Sequence, residues 1–480
     1  MNKTHLPLVA GVSCVLLAVA FSAHSQTLTF SATNVPTGSG PAMVIPVDIN
    51  GDGFPGLVCA NFGFGYTAIF GAGNGSGDTL SVFTNDGFGN LSPSQTLTVG
   101  NSPVGLATAD VNGDGKEDVI CGNVGSNSLS VLTNNGLGGF APAGTYPVGT
   151  GPVSVAAADV NGDGKVDLIC ANYGDDTLTV LTNDGNGFFT VSAVVPTGSQ
   201  PYRVVAADFN GDGNMDLVCA NSGDGTLSVF TNDGRGDFTL LATNTVSGGV
   251  EWVTVVEANG DDKPDLATAS GGLISTISIL TNNGAAIFTL ASTVSSSGAS
   301  MVAAGDINGD GKDDLVCNNN GSGIQGSMTV LTNDGRGNFT VSTTVPVGTT
   351  DWPYIGGNYP NFVTVADFNG DGNDDVAVSC FGTAVVTELV QENVNPKPPA
   401  QPVIGSVSVS GANLMVNAVN GQSGQTYYLL TSTNVALPLS QWAPVATNVL
   451  NANGNFEVTA TNTVSPIIPQ RFYILQTPPP

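Results

Sequence analysis

Seven copies of one acidic loop run through the chain, and they constrain its fold more than any other feature. The first residues of the loops are Asp48, Asp110, Asp159, Asp208, Glu257, Asp306 and Asp367. The third to sixth loops each begin 49 residues after the one before, and the first and last intervals are 62 and 61 residues. A nearly fixed period of this size is typical of repeat proteins, in which each repeat forms one supersecondary unit.

The loops have the pattern of a cation site made of oxygen ligands. Each offers side-chain oxygens at loop positions 1, 3, 5 and 9, and position 6 is usually a glycine that permits a sharp turn. Ca²⁺ takes six to eight oxygen ligands and suits this set better than Mg²⁺ does. The predicted ligands are Asp48, Asn50 and Asp52; Asp110, Asn112, Asp114 and Asp118; Asp159, Asn161, Asp163 and Asp167; Asp208, Asn210, Asp212 and Asp216; Glu257, Asn259, Asp261 and Asp265; Asp306, Asn308, Asp310 and Asp314; and Asp367, Asn369, Asp371 and Asp375.

Two other interpretations of the loops are weaker. An EF-hand has a similar start, but it needs a bidentate glutamate at position 12 and flanking helices, and position 12 is here Cys, Thr or Val. Asp, Asn and Gly also favour simple turns, but a turn needs no acid at positions 1, 5 and 9. We therefore expect up to seven Ca²⁺ ions, with two loops in question. The first has Gly56 at position 9, and the fifth has Glu257 at position 1 and Asp262 in place of the glycine.

The residues between the loops predict four short strands in each repeat. Apolar, β-branched stretches precede and follow each loop, and no helical period is present. An Asn-Asp-Gly or Asn-Asn-Gly triplet, a strong hairpin signal, separates the third and fourth strands of six repeats. Four-stranded units repeated seven times predict an all-β chain whose main domain is a seven-bladed β-propeller.

These repeats resemble the FG-GAP/VCBS repeats of integrin α-subunit N-terminal propellers and of many secreted bacterial proteins. The resemblance covers about residues 27–395 and implies that each Ca²⁺ loop joins the first two strands of a blade. The family includes adhesion proteins, lectins and accessory domains of polysaccharide-degrading enzymes, so the resemblance implies a fold and a metal but no partner. The segment Leu28–Gly38 is similar to the fourth strand of other repeats, and we expect it to complete the last blade and close the ring.

The composition predicts four segments. Residues 1–25 have the charged start, apolar core and small-residue cleavage site of a secretory signal, which favours a secreted protein, with the periplasm or cell surface as alternatives. Residues 26–391 form the propeller, residues 392–402 form a proline-rich linker, and residues 403–480 have the alternating strands of a small immunoglobulin- or fibronectin-like β-sandwich. Tyr428 and Trp442 of this last domain are expected in its core.

Charge and residue usage exclude several functions. The chain has 10 lysines and arginines against 38 aspartates and glutamates, so its surface repels nucleic acid and anionic membranes. Both histidines, His5 and His24, belong to the signal segment, which leaves no histidine-based triad or zinc site in the mature chain. Five of the remaining cysteines share one repeat position, too far apart for disulfides, and we expect buried free thiols.

Two insertions suggest where a partner binds. They lie between strands 2 and 3 of the first repeat and around the link from the sixth to the seventh, and both leave the blades opposite the Ca²⁺ loops. Exposed aromatic residues on such loops are typical of recognition surfaces, although they could instead pack together as a satellite core. The candidate ligand-binding residues are Tyr66, Tyr202, Arg203, Trp252, Trp352, Tyr354 and Tyr359, with Phe62 and Phe64 on the same rim.

Three classes of function fit this sequence. We favour a non-catalytic, monomeric binding or adhesion protein whose partner is an extracellular glycan or protein, without membrane insertion. The alternatives are a lectin and a catalytic or accessory part of a polysaccharide-degrading enzyme. The acids outside the loops, such as Asp78, Glu251 and Asp351, form no recognisable catalytic pair, so we expect no enzyme. The triplet Arg235–Asp237 has the sequence of an adhesion motif, but its position predicts an ordinary turn.

Overall fold

The computed structural model describes residues 28–63, 77–246, 248–271, 275–296, 298–319, 326–348 and 360–392, together with six strands between residues 403 and 476. The chain divides into two compact units, one of which comprises Gln26–Val394. In the residues described, no helix is long and apolar enough to cross a membrane. The signal segment, the linker and most of both insertions lie outside these residues.

The larger unit is a seven-bladed β-propeller of four-stranded antiparallel sheets, as the repeat predicted. The strands are β1 (Thr29–Pro36); in blade 1, β2 (Pro41–Val47), β3 (Gly56–Asn61), β4 (Thr79–Asn85) and β5 (Leu91–Thr98); in blade 2, β6 (Pro103–Ala109), β7 (Asp118–Asn123), β8 (Ser128–Asn134) and β9 (Phe140–Pro147); in blade 3, β10 (Pro152–Ala158), β11 (Asp167–Asn172), β12 (Thr177–Asn183) and β13 (Phe189–Pro196); in blade 4, β14 (Pro201–Ala207), β15 (Asp216–Asn221), β16 (Thr226–Asn232) and β17 (Phe238–Thr245); in blade 5, β18 (Trp252–Val256), β19 (Asp265–Ala269), β20 (Ser275–Asn282) and β21 (Phe288–Ser296); in blade 6, β22 (Val302–Gly305), β23 (Asp314–Asn319), β24 (Ser327–Asn333) and β25 (Phe339–Pro346); and in blade 7, β26 (Pro360–Ala366), β27 (Asp375–Cys380) and β28 (Val385–Glu392).

The N-terminal strand closes the ring. Strand β1 pairs antiparallel with β28 along its whole length, from Thr29 opposite Glu392 to Pro36 opposite Val385. Blade 7 therefore has the order β1-β28-β27-β26, and its fourth strand comes from the other end of the unit. The predicted clasp is confirmed, and it covers the edge of β28 that would otherwise present unpaired backbone groups.

The first strand of each blade lies at the centre of the ring, where it packs against the first strands of both neighbours. The second strands are buried along nearly their whole length, whereas the fourth strands are mainly exposed. Apolar residues of adjacent blades form the core between the sheets. All six cysteines from Cys59 to Cys380 are free and buried in second strands, which confirms the expectation of unpaired thiols. Burial raises the pKa of Cys317 to about 11.

The two ends of the blades differ. Because the strands are antiparallel, the loop from strand 1 to strand 2 and the turn from strand 3 to strand 4 leave the blade at one end, which we call the acidic-loop face. The turns from strand 2 to strand 3 and the links between blades leave at the other end, which we call the linker face. A single short 3-10 helix, Phe381–Thr383, lies on the linker face among the described residues.

The second unit contains two three-stranded antiparallel sheets. Their orders are β29-β30-β33 and β32-β31-β34. The strands are β29 (Val403–Ser410), β30 (Asn413–Val419), β31 (Thr426–Ser432), β32 (Ala443–Val449), β33 (Phe456–Ala460) and β34 (Phe472–Gln476). This agrees with an all-β module, and the sandwich arrangement of the two sheets stays a prediction. The expected core positions of Tyr428 and Trp442 fall outside the described side chains.

Candidate metal centre

Each acidic loop is anchored by its second residue. This residue is apolar in every blade and is at most 1% exposed. The set is Ile49, Val111, Val160, Phe209, Ala258, Ile307 and Phe368. Burial of this side chain fixes one end of the loop in the core between blades, so the polar residues that follow project from the acidic-loop face in the same way each time.

The carboxylate at position 1 organises the backbone of the loop. In the fourth loop, the N–H groups of Gly211 and Gly213 donate to the two carboxylate oxygens of Asp208, at 2.7 and 2.9 Å. Gly213 adopts a left-handed φ of 88°, which brings its N–H to the carboxylate and explains the glycine at position 6. The side-chain oxygen of Asn210 accepts a further bond from Asp212 N–H at 2.8 Å. The side chains at positions 1, 3 and 5 thereby surround one turn of backbone.

The carboxylate at position 9 lies beneath the loop at the start of strand 2. In the third blade, Asp167 is fully buried, and its two oxygens accept the N–H groups of Asn183 at 2.8 Å and Val160 at 3.2 Å. Burial and the nearby carboxylates of the same loop raise the pKa of these aspartates, to about 7 for Asp314 and Asp375. An unneutralised carboxylate is therefore costly at this position, and a bound cation would relieve that cost.

The fifth loop brings three carboxylates together. Carboxylate oxygens of Glu257, Asp261 and Asp265 lie within 4.8 Å of one another, and no other such group occurs in the described part of the chain. Oε1 of Glu257 accepts the N–H groups of residues 259, 260 and 261 at 3.1, 2.7 and 3.3 Å. Oε2 accepts no hydrogen bond from a described residue, and Oδ1 of Asn259 is buried without a partner among them. Two oxygens thus remain available to an ion.

This arrangement differs from the sequence expectation, which questioned the fifth loop because of its substitutions. Asp262 adopts the left-handed backbone of the missing glycine, with a φ of 59°, so the turn is kept. The N–H of Asp262 does not donate to Glu257. In the other six loops, the N–H of the glycine at position 6 donates to the aspartate at position 1. Because glutamate is one methylene longer than aspartate, one of its oxygens satisfies the backbone while the other stays free.

The first loop lacks room for the missing ligand. A Cβ on Gly56 would collide with the carbonyl oxygen of Phe83 and lie 2.9 Å from the side chain of Ile49. Phe54, at position 7, instead packs close to Gly87 of its own blade and Gly370 of blade 7. Apolar contact thereby replaces the buried carboxylate where the ring closes, in agreement with the expectation of weak or absent binding.

The lysines at position 7 fold back over their own loops. Lys116, Lys165, Lys263 and Lys312 are half-exposed and turn back to the aspartate at position 5 of their own loops. The Nζ–Oδ2 distances are 3.0, 3.4, 3.0 and 2.9 Å in that order. The carboxylate draws the ammonium group inward, and exposed pairs of this kind contribute at most about 1 kcal/mol.

The first asparagine of each hairpin triplet has a role that the sequence analysis missed. Its side-chain amide donates to the carbonyls of two acidic loops, one in its own blade and one in the preceding blade. Asn232 donates to Met215 O at 3.0 Å and to Val160 O at 2.8 Å. Equivalent bonds occur at Asn85, Asn134, Asn183, Asn282 and Asn333. These amides therefore connect the acidic loops of six neighbouring pairs of blades, from blade 7 through blade 1 to blade 6.

The candidate ligand-binding residues on the linker face are placed differently from the prediction. Tyr202 and Arg203 lie in β14 and Trp252 in β18, not in links, and the two aromatic side chains are each only 6% exposed. Phe62 is fully buried. Tyr202 and Trp252 face inward and close the centre of the ring, whereas Phe62 packs with Ala42 and Phe381. The residues Phe64, Tyr66, Asp351, Trp352, Tyr354 and Tyr359 lie outside the described residues.

The residues of the fifth loop fit a hard cation. Their donors are three carboxylates and an amide oxygen, and one of these atoms is a buried acceptor that the described residues leave unsatisfied. Oxygen-only sets of this kind are typical of Ca²⁺ sites, and the carbonyl of Lys263 at position 7 could supply a further ligand. The other loops present the same residue types, except at Gly56.

Searches among known proteins agree with this fold. Solved structures of BBS1N in complex with ARL6DN match with TM-scores of 0.52 and 0.53 at 10% identity, covering 77% of this chain and 98% or 99% of theirs. Raptor of Chaetomium thermophilum matches at 12% identity with a TM-score of 0.52, covering 75% of this chain and 29% of its own. These likenesses extend to the fold alone, and no curated protein matches the sequence.

A family model for the FG-GAP-like repeat matches six overlapping segments of the chain. They are residues 65–121, 110–170, 159–219, 208–268, 257–317 and 306–378. The last five segments each begin at one acidic loop and end just after the next, so the matched unit is the one that the loops delimit. The chain belongs to the FG-GAP-like repeat family.

Proposed function

We propose that this chain is a secreted, calcium-binding β-propeller that acts as a non-catalytic binding or adhesion protein. The observation that carries the calcium assignment is the convergence of Glu257, Asp261 and Asp265 within 4.8 Å at the fifth loop. A bound Ca²⁺ would supply positive charge against carboxylates that otherwise repel one another. The loops would thereby stabilise the ring that the hairpin asparagines tie together.

The binding role rests on the type of scaffold. FG-GAP propellers fit binding and adhesion, and this chain offers a rigid ring with variable loops on the linker face, where function is commonly located. We propose an extracellular glycan or protein as the partner, and we place the contact near the insertions that carry Tyr66, Trp352, Tyr354 and Tyr359. The acidic surface disfavours nucleic acid.

Calcium removal tests the metal assignment. The mature chain, stripped with EGTA and checked for residual metal, is melted with and without added Ca²⁺ or Mg²⁺. A site occupied only in the folded state adds about 2.7 kcal/mol at a hundredfold excess of ligand over Kd. We expect a clear rise in Tm with Ca²⁺ and a smaller one with Mg²⁺. Identical curves for the stripped and Ca²⁺-loaded protein would refute the assignment.

Partner binding needs a separate test. A glycan array and a polysaccharide depolymerisation assay, both with Ca²⁺ present, distinguish a lectin and an enzyme from a protein-binding propeller. If the rim binds, Trp352→Ala and Tyr354→Ala should each weaken binding by roughly thirtyfold without altering Ca²⁺ content. Turnover of a polysaccharide by the wild type would overturn the non-catalytic assignment. Early melting of both variants would show that these aromatics belong to a satellite core.

A further inference from the structure

A cavity of about 420 Å³ occupies the centre of the propeller, between the first strands of the blades. Its linker-face end is closed by the side chains of Tyr202, Trp252, Met301 and Phe362, which are 6 or 7% exposed. Toward the acidic-loop face the lining residues become half-buried, as the last residues of β6, β10 and β26 show. The cavity therefore has a closed inner end and a mouth on the acidic-loop face.

Arg203 lies at the inner end of this cavity. Its Nε and one terminal nitrogen, Nη1, are buried and have no hydrogen-bond partner among the described residues. The guanidinium carbon lies 4.4 Å from the centre of the Trp252 ring, so its main electrostatic partner is an aromatic face. Burial lowers the pKa of Arg203 to about 10, and the group stays charged at neutral pH.

The repeat does not require an arginine at this place. One repeat length away along the chain, the equivalent first strands carry Ser154 in blade 3 and Trp252 in blade 5. Two guanidinium nitrogens that are buried without hydrogen-bond partners are costly, and this cost is compensated when an anion accepts hydrogen bonds from them. A charged group kept at this cost, in a cavity large enough for a small molecule, is typical of a ligand site.

The lining indicates what else the ligand carries. The lining includes the apolar residues Ile45, Leu106 and Val155, and the described residues that line it include no acid. Nearer the mouth lie the hydroxyl-bearing residues Thr108 and Thr364. A carboxylate matches the planar donors of a guanidinium, and these apolar lining residues favour an organic ion with a hydrocarbon part over a bare inorganic ion.

We propose that the central cavity binds a small organic carboxylate with an apolar body, its carboxylate held by the guanidinium of Arg203 beside Trp252. The ligand enters from the acidic-loop face and leaves the linker face free. This site is independent of the Ca²⁺ loops and of the rim on which the adhesion proposal rests. It gives the propeller a second, small-molecule ligand.

Calorimetric titration of the Ca²⁺-loaded mature protein tests the site with three probes. These are 4-phenylbutyrate, its neutral amide 4-phenylbutanamide, and inorganic sulfate. We expect saturable binding of one phenylbutyrate per chain, with the amide and sulfate each at least tenfold weaker. No measurable binding of phenylbutyrate at millimolar concentration, or equal binding of the acid and the amide, would overturn the proposal. Equal binding of sulfate would overturn the apolar part of the ligand class.

Two variants of the arginine and one control complete the test. Arg203→Met nearly keeps the length of the side chain and should lower phenylbutyrate affinity at least tenfold. Arg203→Lys keeps the charge but not the planar guanidinium donors, and it should lower the affinity less. Arg235→Met removes an exposed arginine from a hairpin turn and should leave binding unchanged. Unchanged affinity in Arg203→Met would refute the role of Arg203. Thermal melting of Arg203→Met establishes that it is folded, because replacing an unpaired buried charge by an apolar group should not lower Tm.

Discussion

The first and fifth acidic loops both depart from the repeat pattern, but the structure gives the two departures opposite consequences. Gly56 removes a carboxylate from the first loop, and the space it would occupy is filled by Ile49 and the backbone of Phe83. In the fifth loop, Glu257 and Asp262 replace an aspartate and a glycine, and three carboxylates converge. A missing ligand cannot be replaced where the core has closed over its position, whereas a longer ligand can compensate for a changed turn.

The comparison also separates two roles of the position 9 carboxylate. In the fifth loop, Asp265 accepts the N–H of Asn282 at 2.6 Å, and this bond ties strand 3 to the loop. Blade 1 has no such acceptor for Asn85, and its loop is held by the buried Ile49 and by contacts of Phe54. The aspartate thus stabilises the blade as well as offering a ligand, and in blade 1 apolar packing takes over its stabilising role.

The largest expected effect is from Gly56→Asp, which restores the consensus residue to the first loop. The new side chain meets backbone and Ile49, so we expect a loss of about 3 kcal/mol or more in the free energy of unfolding and no additional bound Ca²⁺. Urea unfolding and metal analysis measure the two. Phe88→Asp is the control, because it adds the same carboxylate to blade 1 at a side chain that is 80% exposed. A stable Gly56→Asp protein with one more Ca²⁺ would contradict the comparison.

The next largest effect is expected when the carboxylate at position 5 is removed from the fifth loop or from the first. Asp261→Asn should remove about one Ca²⁺ and lower stability in saturating Ca²⁺ by up to about 2.7 kcal/mol, the contribution of one site at a hundredfold excess. Asp52→Asn should leave the Ca²⁺ content unchanged, because its loop lacks the ligand at position 9. Metal content and Tm of the two variants are compared in the same buffer. Equal Ca²⁺ losses would show that the two loops bind alike.

A smaller effect concerns pH in the metal-free protein. Burial and the nearby carboxylates of Glu257 and Asp261 raise the pKa of Asp265 to about 6, although the hydrogen bond from the Asn282 N–H opposes this rise. A carboxyl whose pKa is higher in the folded state disfavours folding when ionised, so stability should rise as pH falls from about 7 toward 4. Thermal melting in EGTA measures this rise. Asp265→Asn should reduce the response, and an unchanged slope would exclude Asp265 as its source.

The smallest effect is expected from Asp262→Gly, which restores the consensus turn of the fifth loop. Asp262 has a left-handed φ of 59°, and glycine adopts that conformation without strain. Its greater freedom in the unfolded state offsets part of this gain, so we expect an increase of at most about 1 kcal/mol. Chemical unfolding with and without Ca²⁺ measures the change. A loss of Ca²⁺ binding in Asp262→Gly would mean that its side chain, not only its backbone, supports the site.

Local signals account for the parts of the structure that were predicted correctly. The hairpin triplets, the loop glycines and the β-branched strands all act within a few residues, so they identified the strands, the turns and the position of each loop. The similarity of Leu28–Gly38 to fourth strands predicted the pairing of β1 with β28. Contacts between blades were not predicted. The amide of Asn232 donates to Val160 O, a partner 72 residues earlier, and no local pattern indicates such a bond.

The sequence by itself determined the number of blades, the order of their strands and the residues of the acidic loops, because a repeated pattern imposes the same local structure each time it recurs. Only the tertiary structure decided which oxygens of Glu257 and Asn259 stay free, that Gly56 has no room for a ligand, and that Arg203 and Trp252 face the central cavity. These outcomes depend on which backbone amides reach a carboxylate and on what the neighbouring blade packs against. Such contacts join residues far apart in the chain, and they exist only once the ring has closed.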